Sequence, residues 1–311
     1  MSVYTPMDHE TLRQFLLLYN LTVQHVKGAD NGIENSTFLM RCTAADGASC
    51  GRVLTIFEQL NAQQVAPYLA LYRHLFQQGL PVPAPCENDQ GQVLGQISDK
   101  PAVLMPWLPG DHQLRINTGH CQQIGAFLAT LHAQTPPNDI GLPGERNRLA
   151  RLAQYLEILP MPQRQIARKV LQAWQLLGEG DRLIHADLFR DNALWVDGQL
   201  TAVLDWYNAC IDWPEYDLAI TMNDWCCDAE NGPDTRLQDA LLTSYQLAGG
   251  KVDKPRLSLA LAVAALRFWL SRLEGPVAQA DSGIGGKDPA EYAAIFDWRT
   301  APSSGVFDHG V

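Results

Sequence analysis

The chain reads LIHADLFRDNALWVDGQLTAVLDW from Leu183 to Trp206, two apolar runs that each lead to an acidic residue. The first run leads to Asp187, and Asn192 follows it five residues later. The same spacing separates Asp and Asn in the loop H-R-D-x-x-x-x-N, which positions the acceptor hydroxyl in protein kinases. Between the runs, Asp197–Gly198 predicts a tight hairpin turn. The hairpin is expected to carry Asp205 back beside the loop.

These side chains are the types that phosphoryl transfer requires. One carboxylate must orient and deprotonate the acceptor hydroxyl, and oxygen ligands must hold the Mg²⁺ that neutralises the phosphates. Asp187 is the candidate base, and Asn192 and Asp205 are the candidate metal ligands. His185 is expected to brace the loop through hydrogen bonds rather than to move protons. Each residue alone would more often be an ordinary polar loop residue, but spacing, strand and hairpin together favour catalysis.

Length, composition and charge define the class of protein. A chain of 311 residues with 46% hydrophobic and 18% charged residues predicts a large core divided between two lobes. The net charge of −11, without any run of Lys and Arg, argues against a nucleic-acid or anionic-membrane surface, because polyanions are repelled. The expected anionic ligand is therefore small and accompanied by a metal ion.

The cysteines and the hydropathy pattern predict a cytoplasmic protein. The seven cysteines are scattered without a C-x-x-C pair, so we expect reduced thiols rather than disulfides or a zinc site. The first ten residues are too polar for a signal peptide, and no apolar run is long enough to span a bilayer.

Up to Met105 the pattern predicts a small, largely antiparallel β lobe with one helix. Asp8 is expected to cap a short helix before the sheet, and Asp46–Gly47 to form a hairpin turn. Alternating apolar residues and turn signals define the other elements. The strands are predicted at Leu21–Gly28, Ser36–Cys42, Arg52–Glu58, Gln92–Ile97 and Ala102–Met105, and the helix at Asn61–Gln78.

After MPWLPG (Met105–Gly110) the pattern becomes helical, and Gly275–Lys287, rich in Gly and small residues, is predicted as a flexible loop. We predict an α+β, bilobal protein-kinase-like fold: a nucleotide-binding β lobe at 1–105, a hinge at 106–110, and an α-helical lobe at 111–311 with the catalytic hairpin and acceptor site. The helices are predicted at Thr118–Ala133, Asn147–Leu159, Gln163–Leu177, Pro214–Cys227, Thr235–Leu247 and Pro255–Glu274.

The chain resembles the aminoglycoside phosphotransferase and choline kinase superfamily. In that superfamily the loop reads H-G/A-D-x-x-x-x-N, and an aromatic residue, here Trp206, follows the metal-binding Asp. Blocks in order along most of the chain further resemble the bacterial homoserine kinases of this fold. These blocks are NGIENSTFLM (31–40), LTIFE (54–58), HADLFRDN (185–192), DWYNAC (205–210), YDLAI (216–220), NDWC (223–226), ALRFWLSRL (265–273) and KDPAEY (287–292).

The resemblance implies ATP and Mg²⁺ as cofactors and the small molecule L-homoserine as acceptor, giving O-phospho-L-homoserine for threonine synthesis. Asp187 matches the catalytic base, and Asn192 and Asp205 match the metal ligands. Asp217 matches an Asp that holds the catalytic segment. The adenine is expected against the hinge, where backbone groups can bond its edge and apolar side chains cover its face. The hinge residues concerned are Met105, Trp107 and Leu108.

Phosphate binding is the point at which the chain departs from general kinase logic. The third strand has Thr55 where most relatives place the Lys that grips the phosphates, and the helix after it lacks an acidic partner. Lys27 and Arg52 are candidate replacements, or ordinary exposed strand charges. The first hairpin offers glycines that let backbone amides approach phosphates. Its candidate nucleotide-binding residues are Lys27, Gly32, Asn35 and Ser36.

The acceptor site is predicted from the charges of homoserine, a zwitterion whose carboxylate needs a cation. Arg267 and Arg272 interrupt an apolar helix, and a buried guanidinium requires an anion. Either could bind the carboxylate, although Arg267 could instead pair with Asp217. The candidates for the ammonium are Glu34, Asp212 and Asp224, and aromatic residues that could wall the pocket are Trp206, Tyr207 and Trp225.

Two alternatives remain at the level of sequence. The first is a kinase for choline, an aminoglycoside or methylthioribose. A choline pocket would favour an aromatic cage without a carboxylate-binding Arg. The second is a non-catalytic nucleotide-binding module, suggested by the missing Lys at Thr55. The presence of Asp187, Asn192 and Asp205 argues against that module, because mere binding needs no positioned base.

Overall fold

The fold divides into two compact units. The computed structural model describes residues 5–29, 35–135, 142, 145–279, 288–304 and 306. The first unit comprises the described residues up to Gly110 and the segment Thr201–Tyr207, and the second comprises the other described residues from Asp111. The assignment of nucleotide binding and acceptor binding to separate lobes stays a prediction.

The first unit contains a five-stranded antiparallel sheet with the order β1-β2-β3-β5-β4. Two helices belong to this unit, one before the sheet and one between β3 and β4. The elements are α1 (His9–Leu17), β1 (Leu21–Gly28), β2 (Asn35–Ala44), β3 (Ser49–Phe57), α2 (Ala62–Gln77), β4 (Leu94–Ile97) and β5 (Lys100–Pro106). Both helices agree with prediction: α1 is the short helix expected after Asp8, and α2 is the helix expected at Asn61–Gln78.

The core of this unit lies between α1 and one face of the sheet. Asp8 caps α1 by accepting a hydrogen bond from the Thr11 N–H at 2.7 Å, as predicted. The side chains of α1 meet alternate residues of the strands, because successive strand residues point to opposite faces. The main members of this cluster are Leu12, Phe15, Leu16, Phe38, Met40, Cys42, Leu54, Ile56 and Leu104.

The second unit is mainly helical, with short strand pairs. Its helices are α3 (Thr118–His132), α4 (Glu145–Leu152), α5 (Met161–Leu176), α6 (Pro214–Trp225), α7 (Thr235–Leu247), α8 (Lys254–Gln279) and α9 (Pro289–Thr300). Its strands include β6 (Arg182–Ile184), which pairs with β9 (Cys210–Asp212), and β10 (Cys227–Asp228), which pairs with β11 (Gly232–Pro233). None of the described helices is long and apolar enough to cross a membrane.

The structure differs from the prediction at three helices. The helix predicted at Asn147–Leu159 is α4 followed by a 3₁₀ segment, Ala153–Ile158. Helix α8 continues to Gln279, so the predicted loop from Gly275 begins as helix, and its remainder, 280–287, lies outside the described residues. Helix α9 was not predicted, although Asp288 caps it and Pro289 occupies its first turn, which are standard start signals.

The hairpin that follows the predicted catalytic loop is present. Strands β7 (Ala193–Val196) and β8 (Gln199–Val203) form a two-stranded sheet. Asp197 and Gly198 both have positive φ, 49° and 75°, as a type I′ turn requires. The boundary between the units falls within β8, after Leu200.

Candidate active site

The predicted catalytic loop, His185–Asn192, follows β6 and is tied to α6 by one buried carboxylate. The His185 N–H donates to Asp217 Oδ2 at 2.8 Å, and the Ala186 N–H donates to Oδ1 at 2.9 Å. Ala186 has a left-handed backbone, with φ of 60°, at the position where the two amides meet the carboxylate. Asp217 is 0% exposed. Its contacts therefore define the direction in which the loop leaves β6.

A second contact to Asp217 comes from α3. His132 Nε2 lies 3.1 Å from Asp217 Oδ2, and His132 Nδ1 lies 2.9 Å from the hydroxyl of Tyr245 on α7. Burial raises the pKa of Asp217, but the hydrogen bond and charge of His132 and the His185 amide outweigh it, so the pKa lies below its ordinary value. Three helices are thus connected to the loop through one carboxylate.

Asp187, the predicted base, has a side-chain contact on each carboxylate oxygen. Asn208 Nδ2 donates to Oδ2 at 3.1 Å, and Arg267 Nη1 lies 3.4 Å from Oδ1. Arg267 Nη1 also donates to the Ala186 carbonyl at 3.2 Å. The side chain of Arg267 is 3% exposed, whereas that of Asp187 is 19% exposed. The carboxylate is therefore held by its neighbours and still partly accessible, as a group that orients a hydroxyl must be.

Two further side chains of the motif hold the backbone at Asp187. The Asp187 N–H donates to His185 Nδ1 at 3.2 Å, a contact consistent with the bracing role predicted for His185. Asn192 donates from Nδ2 to the Asp187 carbonyl at 2.8 Å. Because a carbonyl only accepts, this bond fixes the amide orientation and leaves Oδ1 as the acceptor end of Asn192. An amide oxygen is a suitable ligand for Mg²⁺.

Asp205, the other predicted metal ligand, belongs to the first unit. It is exposed and has a left-handed backbone, with φ of 58°. The Trp206 N–H donates to the Tyr72 hydroxyl at 3.2 Å. Burial, followed by the charge of Asp205, raises the pKa of Tyr72. Trp206 is 0% exposed, and Tyr207 packs against aromatic rings of the same unit, so both act as core residues rather than as pocket walls.

The hinge residues predicted to hold adenine differ in burial and in the hydrogen bonding of their backbone. Met105 is buried in β5 opposite Val53. The Trp107 N–H donates to the Gly51 carbonyl at 3.1 Å, and a Cβ on Gly51 would lie 2.8 Å from Trp107 Cβ. The Trp107 amide is therefore used within the unit, and the close approach of its Cβ requires a glycine at position 51. Leu108 is half-buried.

The residues predicted to meet phosphates have other partners where the structure describes them. Ser36 is buried, and its hydroxyl accepts from the Thr5 N–H at 3.0 Å and donates to Glu58 Oε1. Asn35 Oδ1 accepts from the Glu58 N–H, at 3.4 Å. Arg52 Nη1 donates to the carbonyl of Gly51 at 2.8 Å. Lys27 is exposed on β1. The two other predicted residues of this hairpin, Gly32 and Glu34, lie outside the described residues.

Arg272 is held by α9. Its Nη1 donates to the Asp288 carbonyl at 2.8 Å and to Glu291 Oε2 at 2.6 Å, and its guanidinium lies over the ring of Tyr292. These contacts compensate the charge of Arg272 with a carboxylate and a backbone oxygen of the protein itself. Arg267 lies instead at Asp187, so the two arginines of α8 have different surroundings.

The acidic candidates for the ammonium are also engaged. Asp224 accepts from the Arg190 N–H at 2.8 Å and from its guanidinium at 3.1 and 3.3 Å. Burial raises the pKa of Asp224. Asp212 is buried and accepts from the Trp213 N–H at 2.8 Å. Trp225 is buried and donates from Nε1 to the Leu188 carbonyl at 3.0 Å.

Three residues at this site were not identified from the sequence: Asn208, Arg148 and His132. Asn208 directly follows the DWY segment, and its proximity to a conspicuous motif was the only local signal. Arg148 donates from Nη1 to Asn208 Oδ1. His132 closes α3, far from the loop in sequence. Their contacts to the site depend on helix packing, which no local pattern encodes.

The chain is similar along most of its length to known kinases. A sequence model of the "Phosphotransferase enzyme family" matches residues 25–252. The homoserine kinase of Pseudomonas aeruginosa (strain UCBPP-PA14) is 36% identical over 99% of this chain and 98% of its own length. The homoserine kinase of Polaromonas naphthalenivorans (strain CJ2) is 37% identical over 88% of this chain and 89% of its own length.

Solved structures confirm the predicted kinase-like fold. The amicoumacin kinase hAmiN, in complex with AMP-PNP, Ca²⁺ and Ami, has a TM-score of 0.70 at 18% identity and covers 94% of this chain and 92% of its own. An ethanolamine kinase of Plasmodium vivax has a TM-score of 0.68 at 13% identity and covers 97% of this chain and 92% of its own. The family-model match over residues 25–252 and the 36–37% identity to relatives over 88–99% of the chain show that the chain belongs to the phosphotransferase enzyme family and, within it, to the homoserine kinases.

Proposed function

We propose that this chain transfers the γ-phosphoryl group of ATP to the hydroxyl of L-homoserine, giving O-phospho-L-homoserine and ADP for threonine biosynthesis. The observation that carries the proposal is the Asp187 carboxylate, held by Asn208 and beside the buried Arg267, in a chain of the homoserine kinase family. In this proposal the Asp187 carboxylate orients the acceptor hydroxyl, and the Arg267 guanidinium binds the carboxylate of homoserine.

The reaction assigns a proton transfer to Asp187. As the homoserine oxygen bonds to the γ-phosphorus, Asp187 accepts the hydroxyl proton, and the bond from phosphorus to the bridging oxygen of ADP breaks. The carboxylate is 19% exposed, so an acceptor can reach it. Its backbone is held on both sides by His185 and Asn192. Catalysis here consists mainly of positioning the hydroxyl in line with the phosphoryl group.

We propose Mg²⁺ as the accompanying metal ion, with Asn192 and Asp205 as its protein ligands on the strength of the motif. Asn192 fits this role, because its amide nitrogen is occupied by the Asp187 carbonyl and its oxygen is the acceptor end. Mg²⁺ commonly keeps several waters and takes one or two protein ligands together with substrate phosphates. The ion supplies charge neutralisation for the phosphates.

Arg267 is the better candidate for the acceptor carboxylate. Homoserine is short, and its hydroxyl oxygen and carboxylate carbon are separated by four bonds, roughly 5 Å when extended. A guanidinium 3.4 Å from the base is within that span, so one residue can meet the carboxylate while the hydroxyl meets Asp187. Arg272 lies instead at α9, where Glu291 and the Asp288 carbonyl hold it. The ammonium candidates Glu34, Asp212 and Asp224 stay predictions.

The function is tested by measuring kcat/KM for L-homoserine, choline, kanamycin and methylthioribose with MgATP. We expect homoserine to have the highest value, and Asp187→Asn to lower kcat by about 10²- to 10⁴-fold, the range of general-base contributions. A panel in which choline or a sugar outruns homoserine would contradict the proposed acceptor. Retention of kcat within a few-fold in Asp187→Asn would contradict the proposed base.

The role of Arg267 is tested by pairing the variant with an altered substrate. L-Homoserine amide keeps the hydroxyl and the ammonium but lacks the carboxylate. We expect the wild type to prefer homoserine over the amide by about tenfold to a hundredfold, the effect of one charge-assisted contact, and Arg267→Ala to lose the preference. Arg272→Ala is the matched control and should keep the preference while losing thermal stability. Equal preferences in Arg267→Ala and the wild type would exclude the contact.

A further inference from the structure

The hydrogen bonds within the loop do not fix the orientation of the Asp187 carboxylate. The backbone of Asp187 is fixed at its N–H by His185 and at its carbonyl by Asn192. The terminal torsion of an Asp side chain, however, is broad and roughly two-fold. The orientation of the carboxylate therefore depends on the groups that meet its two oxygens, which are Asn208 and Arg267.

Asn208 makes the shorter of these two contacts. Its Nδ2 lies 3.1 Å from Asp187 Oδ2, whereas Arg267 Nη1 lies 3.4 Å from Oδ1. Arg267 also donates from the same nitrogen to the Ala186 carbonyl, so its hydrogen-bonding capacity is shared. The Asn208 contact is thus the more specific constraint on the plane of the carboxylate.

Arg148 determines which end of the Asn208 amide faces the base. An Asn side chain presents an acceptor at one end and donors at the other, and the two orientations have nearly the same shape. Arg148 Nη1 donates to Asn208 Oδ1, and a guanidinium has no acceptor. Because the guanidinium tolerates only the amide oxygen, the NH₂ end is left to face Asp187. The half-buried positions of Arg148 and Asn208 limit competition from water.

We propose that Asn208, oriented by Arg148, is a positioning residue that fixes the carboxylate plane of the catalytic base. Neither residue touches the acceptor in this role, and both act through Asp187. The proposal rests on the proposed function only in taking Asp187 as the base, and it holds for any acceptor whose hydroxyl is phosphorylated at this site.

The first test is the kinetics of Asn208→Ala with MgATP and L-homoserine. Loss of one hydrogen bond to a charged group predicts a fall in kcat of about tenfold to a hundredfold, with the KM values of both substrates within about twofold of wild type. Arg148→Ala should cause a smaller fall, because the amide can still sample its donor orientation. The double variant Arg148→Ala/Asn208→Ala should lose no more kcat than Asn208→Ala alone, since Arg148 acts through Asn208. The exposed Gln172→Ala on α5 is the control and should behave as wild type.

The second test separates positioning from simple stabilisation. Asn208→Asp places a second carboxylate beside Asp187, and two carboxylates that share a site resist joint ionisation. Its kcat should therefore fall at least as far as that of Asn208→Ala, because the NH₂ donor is lost and the new charge repels Asp187. The KM values should stay within about twofold of wild type, whereas a residue that only stabilised the fold would change thermal stability and leave the kcat of the folded enzyme unchanged. Thermal unfolding of each variant identifies any that fails to fold.

The outcomes distinguish this proposal from the proposed function. A wild-type protein inactive on homoserine but active on another acceptor contradicts the acceptor assignment, and the variants are then measured on that acceptor. A folded Asn208→Ala protein with kcat within twofold of wild type would overturn the positioning role. Additive losses for Arg148→Ala and Asn208→Ala would overturn the coupling between them.

Discussion

At the scale of single residues, the active loop depends on a strained backbone that one carboxylate compensates. Ala186 has a left-handed conformation, which costs a non-glycine residue about 1–2 kcal/mol. The two hydrogen bonds from the His185 and Ala186 amides to Asp217 offset this cost, because they are made to a charged and fully buried acceptor. Strain of this kind persists only where the surrounding structure holds it in place.

Replacing Asp217 by Asn tests this dependence. The amide would present an NH₂ group to the loop N–H groups or to His132, so at least one buried donor would lose its partner. We expect the free energy of unfolding to fall by about 3 kcal/mol and kcat to fall with it. Chemical denaturation at pH 7 measures the first quantity. The exposed Asp239→Asn on α7 is the control, and an equal loss there would contradict the explanation.

The same variant predicts a pH dependence of stability. The pKa of Asp217 in the folded protein lies below its ordinary value of 3.8. An acid with a depressed folded pKa contributes stability that is complete above its unfolded pKa and is lost as the pH falls through the folded pKa. The free energy of unfolding should therefore drop more steeply below about pH 4 in the wild type than in Asp217→Asn. Parallel curves would show that Asp217 is not linked to folding in this way.

At the scale of elements, the contact between α3 and α7 supports the loop from a distance. Gly125 of α3 lies against α7, and a Cβ at this position would be 2.2 Å from the Leu241 carbonyl oxygen. Helix α3 carries His132 and α7 carries Tyr245, the two side chains that extend the Asp217 network. The glycine thus allows the backbones to approach closely enough for that network to form.

Two glycine variants separate close packing from backbone conformation. Gly125→Ala gains helix propensity of about 1 kcal/mol, but the added methyl must push α7 away, so we expect a net destabilisation of about 2–3 kcal/mol and reduced kcat. Gly198→Ala in the β7–β8 turn meets no atom within 4 Å and pays only for its φ of 75°, about 1–2 kcal/mol. Denaturation and kinetics measure both, and an unchanged kcat in Gly125→Ala would contradict the coupling.

At the scale of the whole molecule, the net negative charge of the chain repels its anionic phosphoryl donor. The chain has 34 acidic and 23 basic residues, a net charge of −11, and its phosphoryl donor is itself an anion. Long-range repulsion of this kind is screened by salt, because the Debye length shortens from about 30 Å at 0.01 M to about 8 Å at 0.15 M. Local groups at the site must therefore overcome an unfavourable overall field.

Ionic strength should thus affect the two substrates differently. Between 0.01 and 0.15 M KCl we expect KM for MgATP to fall by about twofold, as the repulsion is screened. KM for homoserine, a zwitterion without net charge, should stay constant and serves as the internal control. Initial rates at saturating concentrations of the other substrate give both values. A KM for MgATP that rises with salt would show that a local positive field dominates.

Much of the fold was predictable from local sequence. The cap of α1, the bounds of α7, the β1 strand and the β7–β8 turn agree with prediction because each depends on neighbouring residues and on backbone preferences. The additional α9 helix was missed although its start signals are local. The replacement for the phosphate-binding Lys, which the sequence predicts to be missing at Thr55, stays a prediction, since the described Arg52 contact is to the Gly51 carbonyl.

The sequence by itself determined the family and the predicted chemistry of the site, since Asp187, Asn192 and Asp205 stand at a spacing typical of phosphoryl-transfer loops. Only the tertiary structure decided the supporting contacts. It placed Arg267 against one carboxylate oxygen of Asp187, and it placed Asn208 against the other. The physical reason is distance along the chain. The conformation of a loop or turn depends on a residue's own backbone and its near neighbours. The side-chain partners of Asp187 and Asp217 lie 21 to 85 residues away in the chain, so they meet only when the core packs.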